Sequence, residues 1–149
     1  MKAVAIAVFL LLTAPFPGLA AEITTAQHLK TVPLVIRTQA ATRRYRVEVA
    51  RSPEQQEIGL MFRKAMARDH GMIFPMVPQR YASFWMRNTL IPLDLIFIRK
   101  DGTISSIAPN ATPLSLDQVQ SLEPIAAVLE LVGGEAQRSG IRAGDRVRW

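Results

Sequence analysis

Residues 93–98, Leu-Asp-Leu-Ile-Phe-Ile, are apolar at every position but one. A short apolar run of this kind is typical of a buried strand. Side chains alternate between the two faces of a strand, so Asp94 should share a face with Ile96 and Ile98. A carboxylate there must be hydrogen-bonded, paired with a cation or protonated, because an unpaired buried charge is costly. The run therefore predicts a buried strand that carries one acid.

Most of the remaining chain has the pattern of short strands joined by short links. Ser52 and Pro53 begin a predicted helix over residues 53–61, and a second short helix should end near Gly140. The Asp101-Gly102 pair predicts a tight hairpin, whereas residues 75–80 predict a turn. Strand patterns occupy residues 32–38, 44–50, 70–74, 84–86, 93–98, 103–108, 125–131 and 146–149. The expected fold is α+β and β-rich, a single compact domain of mainly antiparallel strands, barrel-like or a sandwich, with two short helices.

The N-terminal residues have the parts of a secretory signal peptide. Met1-Lys2 is a basic start, residues 3–12 are apolar, and Gly18-Leu19-Ala20 supplies small residues for cleavage. We therefore expect a signal peptide over residues 1–20, a flexible leader over 21–31 and a globular domain over 32–149. The mature protein would be exported, to the periplasm or beyond. The apolar run is too short for a membrane span, so none is expected after cleavage.

Composition narrows the classes of partner. The chain has no cysteine, so a hydrophobic core must stabilise the fold without disulfides. Its net charge of +6 favours an anionic ligand or envelope component. Nucleic acid is not an expected partner, because the basic residues are scattered and do not alternate with aromatic ones. The oligomeric state is left open.

The segment Phe84-Trp85-Met86-Arg87-Asn88-Thr89, followed by Asp94, is the strongest candidate site. It brings aromatic rings, a cation, an amide and a carboxylate close together in sequence. We expect Trp85, with Phe84 or Tyr81, to supply apolar contact to a small ligand. The polar or anionic group of that ligand would be held beside Asp94. The predicted ligand-binding residues are Arg63, Trp85, Arg87, Asn88 and Asp94.

Three alternatives compete with this binding role. Asp94 could be structural, accepting backbone N–H bonds that tie residues 87–91 to the following strand. It could also act as the general acid or base of a small envelope enzyme, alone or paired with Glu130. The third alternative is a purely structural or protein-interaction domain. No catalytic residue is assigned.

No cofactor or metal is predicted. The five internal methionines and His70 could together bind Cu(I), but methionine is more often a filler of irregular cores. The methionines are Met61, Met66, Met72, Met76 and Met86. The absence of cysteine and of a histidine pair gives zinc no support. Ser83 and His70 could form a nucleophile and base only if the fold brought them together.

Several short motifs, in their order and spacing, resemble the domain of unknown function 192 family. They are Gly59-Leu60-Met61-Phe62-Arg63, His70-Gly71-Met72-Ile73-Phe74, residues 84–94, Asp101-Gly102-Thr103-Ile104, Val128-Leu129-Glu130-Leu131 and Gly144-Asp145. The resemblance covers roughly residues 32–149. Arg87 stands where lysine is frequent in that family, and Val132-Gly133-Gly134 replaces a more usual Pro-Ala-Gly ending. The resemblance implies a compact, β-rich and often exported domain, and it implies no established activity.

Overall fold

Seven strands join in one hydrogen-bonded sheet in the computed structural model, which describes residues 25–149. The predicted signal peptide lies outside these residues. The strands are β1 (Thr31–Arg37), β2 (Thr42–Val49), β3 (His70–Arg80), β4 (Ser83–Phe84), β5 (Leu93–Ile98), β6 (Ile104–Ala111), β7 (Val119–Gln120), β8 (Ile125–Val132) and β9 (Arg146–Arg148). The helices are α1 (Pro53–Ile58) and α2 (Glu135–Ser139).

The sheet has the order β6-β5-β8-β3-β2-β1-β9, and β4 and β7 form a separate pair. Its neighbouring strands are antiparallel except for β2 and β3, which are parallel. The two edge strands approach each other at a single bridge between Thr103 and Arg146, so the sheet is not closed into a barrel. A β-rich, mainly antiparallel single domain with two short helices is thus confirmed within the described residues.

The two faces of the sheet carry separate apolar clusters. One contains Leu34, Ile73, Ile96, Ile98 and Leu129. The other contains Met72, Phe74, Leu93, Leu95, Phe97 and Val128. All six residues of β5 are buried, as the apolar run predicted. The predicted alternation is confirmed, because Ile96 and Ile98 pack on one face and Leu93, Leu95 and Phe97 on the other.

Helix α1 begins at the predicted capping signal. The Ser52 hydroxyl accepts a hydrogen bond from the Gln55 amide, and the Gln55 side chain accepts one from the Ser52 amide. This reciprocal pair satisfies two backbone donors that a helix start otherwise leaves free. The helix ends at Ile58, three residues earlier than predicted, because Gly59 adopts a positive φ of 48°. A side chain at Gly59 would also press on the Phe74 ring, since its Cβ would lie 3.3 Å from Phe74 Cζ.

The predicted turn over residues 75–80 is wrong. Strand β3 continues through these residues to Arg80, and its pairing with β8 is irregular between Pro75 and Arg80. Proline lacks an amide donor, which is compatible with a strand only where the ladder is interrupted. The strand thereby carries Met76, which stays buried in the core, and the exposed Arg80 toward the end of the sheet.

Part of the predicted flexible leader makes specific contacts with the domain. The Gln27 side chain donates hydrogen bonds to the backbone carbonyls of Gln55 and Gly59, at 2.7 and 3.0 Å. The Leu29 amide donates to the Glu48 carboxylate, and Arg63 donates to the Gln27 carbonyl. These bonds hold residues 27–29 against α1 and β2.

Candidate functional site

The cavity that we call the main cavity lies between α1, the end of β3 and the short strand β4, and its volume is about 400 Å³, similar to the roughly 420 Å³ of a second cavity beside Arg63 and His70. One wall is formed by α1 and the three residues that follow it. The other is formed by the end of β3 and the segment Tyr81–Trp85, and the ring of Phe74 and the carboxyl of Glu130 also contribute to the lining. The size is suitable for a small organic molecule.

Aromatic and thioether groups supply much of the cavity lining. Tyr81 and Trp85 are substantially exposed, with 66% and 41% of their surface accessible. Phe84 packs edge-on against Phe74, with ring centroids 5.1 Å apart. The apolar lining also includes Ile58, Leu60, Met61 and Met76. An exposed aromatic pair beside a concave apolar surface is a common feature of ligand sites.

Glu130 is the unusual polar group of this cavity. It lies on β8 directly opposite Met72 of β3 and Leu95 of β5. Cross-strand partners share a face, so its side chain lies among the apolar cluster of Phe74 and Phe97. Only 5% of the residue is exposed, and no group within residues 25–149 donates a hydrogen bond to its carboxyl, whose oxygens are not among the fully enclosed polar atoms and open to the cavity. Buried carboxyls are normally hydrogen-bonded, so the Glu130 carboxyl remains available for a hydrogen bond to a molecule in the cavity.

Burial raises the pKa of Glu130 to about 8, and the positive charge of Arg63 offsets only part of that rise. The cause is the loss of water around the charged form of the carboxyl. At neutral pH the carboxyl is mostly protonated. It can therefore donate a hydrogen bond, or release its proton when a cation approaches.

Asp94 does not lie in this cavity. Its carboxylate is fully buried and accepts three backbone hydrogen bonds, from the amides of Asn110, Gly134 and Ala136 at 2.8, 2.9 and 2.7 Å. The bonds join β5 to β6 and to the start of α2. Asp94 is thus a structural acceptor, although its partners lie in β6 and after β8 and do not come from residues 87–91. The sheet register places it opposite Leu131, one residue from Glu130, so the two carboxyls point to opposite faces and form no pair.

Trp85 and Arg87 remain neighbours as the sequence suggested. The Arg87 guanidinium carbon lies 4.3 Å from the centre of the Trp85 ring, and its Nη2 lies 3.7 Å from the Glu57 carboxylate. Asn88 occupies a turn with a positive φ of 56°, and its carbonyl accepts a hydrogen bond from the Phe62 amide. Of this trio, only Trp85 lines the main cavity.

Arg63 has a different partner from the predicted ligand. Its two terminal nitrogens bind the two oxygens of Glu48 at 2.7 and 2.9 Å, and both side chains are 9% exposed. Burial by itself would raise the pKa of Glu48, but hydrogen bonds from Arg63 and the Leu29 amide outweigh it, and the pKa lies below its usual value. The five predicted site residues are therefore dispersed: Trp85 is at the cavity, Arg87 and Asn88 are beside it, and Arg63 and Asp94 are engaged elsewhere.

The family can be identified from the matched residues. The family model of the domain of unknown function DUF192, described as an uncharacterised ACR, matches residues 34–149. The chain belongs to this family. Comparison with curated proteins finds no match.

Two crystal structures resemble this DUF192 domain closely. A protein of unknown function from Novosphingobium aromaticivorans DSM 12444 is 39% identical, with a TM-score of 0.80, over 93% of this chain and 94% of that one. A protein from Sinorhizobium meliloti 1021, described as a putative transcription regulator, is 42% identical, with a TM-score of 0.78, over 82% of this chain and 97% of that one.

Four of the six motifs that carry the DUF192 resemblance contribute residues to the main cavity. Gly59, Leu60 and Met61 come from the first motif, and Phe74 ends the second. The segment 84–94 contributes Phe84, Trp85 and Thr89, and the motif Val128–Leu131 contributes Glu130. The single charge within β8 was the available sequence signal for Glu130, since an acid in an apolar strand is unusual. The sequence could not show which sheet face it occupies relative to Asp94.

The remaining sequence candidates are separated in space. Ser83 donates a hydrogen bond to Gln118 at the main cavity, whereas His70 bonds to Asp69 and lines another cavity with Arg63. Met72 and Met86 are buried in the apolar cluster, and Met61 and Met76 line the main cavity. Within residues 25–149, no group of three acidic or histidine side chains is placed to hold a metal ion, and no helix is long and apolar enough to cross a membrane.

Proposed function

We propose that this DUF192 domain is an exported binding module that takes a small ligand into the cavity between α1 and β4. The observation that carries the proposal is the buried Glu130 carboxyl, which lines that cavity with no hydrogen-bond donor from residues 25–149. The Glu130 carboxyl opens to the cavity, so a ligand there can supply the hydrogen bonds that residues 25–149 do not.

The aromatic wall supports a ligand with an apolar part. Tyr81 and Trp85 are exposed to solvent although both have large apolar surfaces. Covering such surfaces is favourable by about 25 cal/mol per Å². Four of the six family motifs contribute to the lining of this cavity, which supports a shared role for it. The anionic ligand expected from the sequence has less support, since Arg63 is bound to Glu48 and Arg87 does not line the cavity.

Export is part of the proposed role and rests on the sequence of residues 1–20. The envelope fraction should contain a protein that begins at Ala21 or within a few residues of it. N-terminal sequencing tests this. Recovery of the intact chain from the cytoplasm would contradict it.

A thermal-shift screen of small molecules tests the binding role. A ligand that binds the folded state raises stability by about 2.7 kcal/mol at 100 times its Kd. The two tryptophans provide a matched pair of variants, because Trp85 and Trp149 are similarly exposed, at 41% and 44%. Hits should stabilise the wild type and Trp149→Ala, and should lose most of their effect in Trp85→Ala. Hits that act equally on Trp85→Ala would place the ligand elsewhere.

A small enzyme is the second candidate function, with Glu130 as its general acid or base. The observation that favours it is a pKa of about 8, near the pH at which a proton can be exchanged. Asp94, the acid expected from the sequence, is committed to three backbone amides. Turnover of a screening hit that is lost in Glu130→Gln, with binding retained, would establish the enzyme over the binding module.

A further inference from the structure

We propose that the cavity selects an organic cation, a protonated amine on a small apolar frame, and that its ammonium group pairs with the carboxylate of Glu130. This inference rests on the proposed binding function and specifies its ligand class. It differs from the sequence expectation of an anionic ligand.

The balance of charge around the cavity favours a cation. The ionisable side chains that line it are Glu57, Arg80, Tyr81 and Glu130. Arg80 is exposed and bonds to Gln56 at 3.3 Å, which keeps it at the rim. Glu57 is 61% exposed and lies 3.7 Å from Arg87, so Glu130 is the only buried ionisable group of the lining within the described residues. As formed by these residues, the floor of the cavity therefore offers a carboxyl to a cation and no positive group to an anion.

The surroundings of Glu130 leave room for one incoming positive charge. The nearest cation is Arg63, whose terminal nitrogens are bound to both oxygens of Glu48. Met72 and Leu95, which lie opposite Glu130 on the neighbouring strands, carry no charge. A ligand ammonium group would supply the opposite charge and the hydrogen bonds that the carboxyl lacks.

The aromatic lining suits the same ligand. Cations are attracted to the faces of aromatic rings, and the Trp85 ring already accepts such a contact from Arg87 at 4.3 Å. Tyr81 and Phe84 are also in the lining, and the thioethers of Met61 and Met76 add polarisable contacts to an apolar frame.

Binding of a cation should release a proton. Burial keeps Glu130 protonated at neutral pH. The other titratable groups around it are the Arg63–Glu48 pair and, at the cavity, Glu57, Arg80 and Tyr81. The protonated carboxyl and the ammonium ion combine to give a carboxylate–ammonium pair and one free proton. Affinity should therefore rise about tenfold for each pH unit below the pKa of Glu130 and level off above it.

Three probes of similar size and different charge test the proposal: benzylamine, benzyl alcohol and benzoate. Their Kd values at pH 6, 7 and 8 can be measured from the methyl resonances of Met61 and Met76. Benzylamine should bind at least tenfold more tightly than the other two at pH 8, and its Kd should rise about tenfold between pH 7 and pH 6. Calorimetry at pH 7 in buffers of different ionisation enthalpy should show nearly one proton released per benzylamine.

Glu130→Gln removes the charge and retains the shape of the side chain, so it should weaken benzylamine binding at least tenfold and leave benzyl alcohol unchanged. Asp117→Asn is the control, since Asp117 is exposed, bonds only within its own turn and does not line the cavity. It should change the Kd of benzylamine less than threefold. Tighter binding of benzyl alcohol or benzoate, with no pH dependence, would overturn the cation and leave the binding function standing. Failure of all three probes, together with an empty thermal-shift screen, would overturn both.

Discussion

At the scale of single residues, two buried carboxyls in this domain have opposite roles. Asp94 has three backbone donors within 2.9 Å, whereas Glu130 has none among the described residues. Charge-assisted bonds of this kind hold a structure together. Glu130 lacks such bonds within residues 25–149 and faces the cavity, which supports its proposed role in binding. Asp94 lies opposite Leu131 and Glu130 lies opposite Leu95 in the sheet register, so the two side chains point to opposite faces of the sheet.

The role of Asp94 predicts a large effect of a small substitution. Asp94→Asn should destabilise the fold by roughly 2–4 kcal/mol, because the amide nitrogen would face backbone donors and the charge would be lost. Asp117→Asn is the matched control, since Asp117 is exposed and bonds only within its own turn. Denaturant midpoints measure both variants. A loss for Asp94→Asn no larger than that of the control would contradict the structural role.

At the scale of elements, the Arg63–Glu48 pair joins the segment after α1 to β2 and to the N-terminal residues 27–29. Removing one partner leaves the other charge buried. Arg63→Met should therefore cost roughly 3–5 kcal/mol, and adding Glu48→Gln should restore part of the loss. Hydrogen exchange at the Leu29 amide should accelerate in the single variant.

The exposed pair Arg99–Glu123 is the control for this prediction. Its atoms lie 2.6 Å apart, but the side chains are 42% and 39% exposed, so water screens the attraction. Arg99→Met should cost at most about 1 kcal/mol. Equal effects of Arg63→Met and Arg99→Met on the denaturant midpoint would show that burial of the Arg63–Glu48 pair contributes little to stability.

Local sequence patterns predicted the elements better than they predicted the site. The bounds of β5 and the start of α1 follow from alternation and capping, which act between near neighbours. The link between Arg87 and Asp94 was inferred from the same nearness and is absent. Strand alternation directs Asp94 toward α2, whose amide donor lies 42 residues away along the chain. The position of Glu130 at the cavity follows only from the placement of β8 between β3 and β5, and that strand order depends on the whole sheet.

At the scale of the whole molecule, the turn between β8 and α2 shows how the fold accommodates its departure from the usual family ending. Gly133 passes so close to β5 that an added Cβ would lie 2.8 Å from Pro92 Cβ, and Gly134 has a positive φ of 80°. Both glycines are therefore required by the backbone. They bring the amides of residues 134 and 136 to Asp94 on one face of the sheet, while Glu130 on the other face stays free for the cavity.

At the scale of the whole molecule, this domain keeps a protonated carboxyl at its cavity at a cost in stability. The folded state holds the Glu130 proton up to about pH 8, whereas an unfolded chain releases it near 4.5. Between these values the unfolded state binds fewer protons, so the contribution of Glu130 to stability falls as pH rises. Glutamine does not titrate. The contributions of the other titratable groups to the pH dependence of stability cancel when Glu130→Gln is compared with the wild type.

The decisive measurement is the free energy of unfolding of wild type and Glu130→Gln between pH 5 and pH 9. The free energy of unfolding of the variant should rise relative to that of the wild type by about 1.4 kcal/mol per pH unit up to pH 8, and the difference should then become constant. A difference that does not change with pH would mean that Glu130 titrates normally in the folded protein, and it would contradict the account.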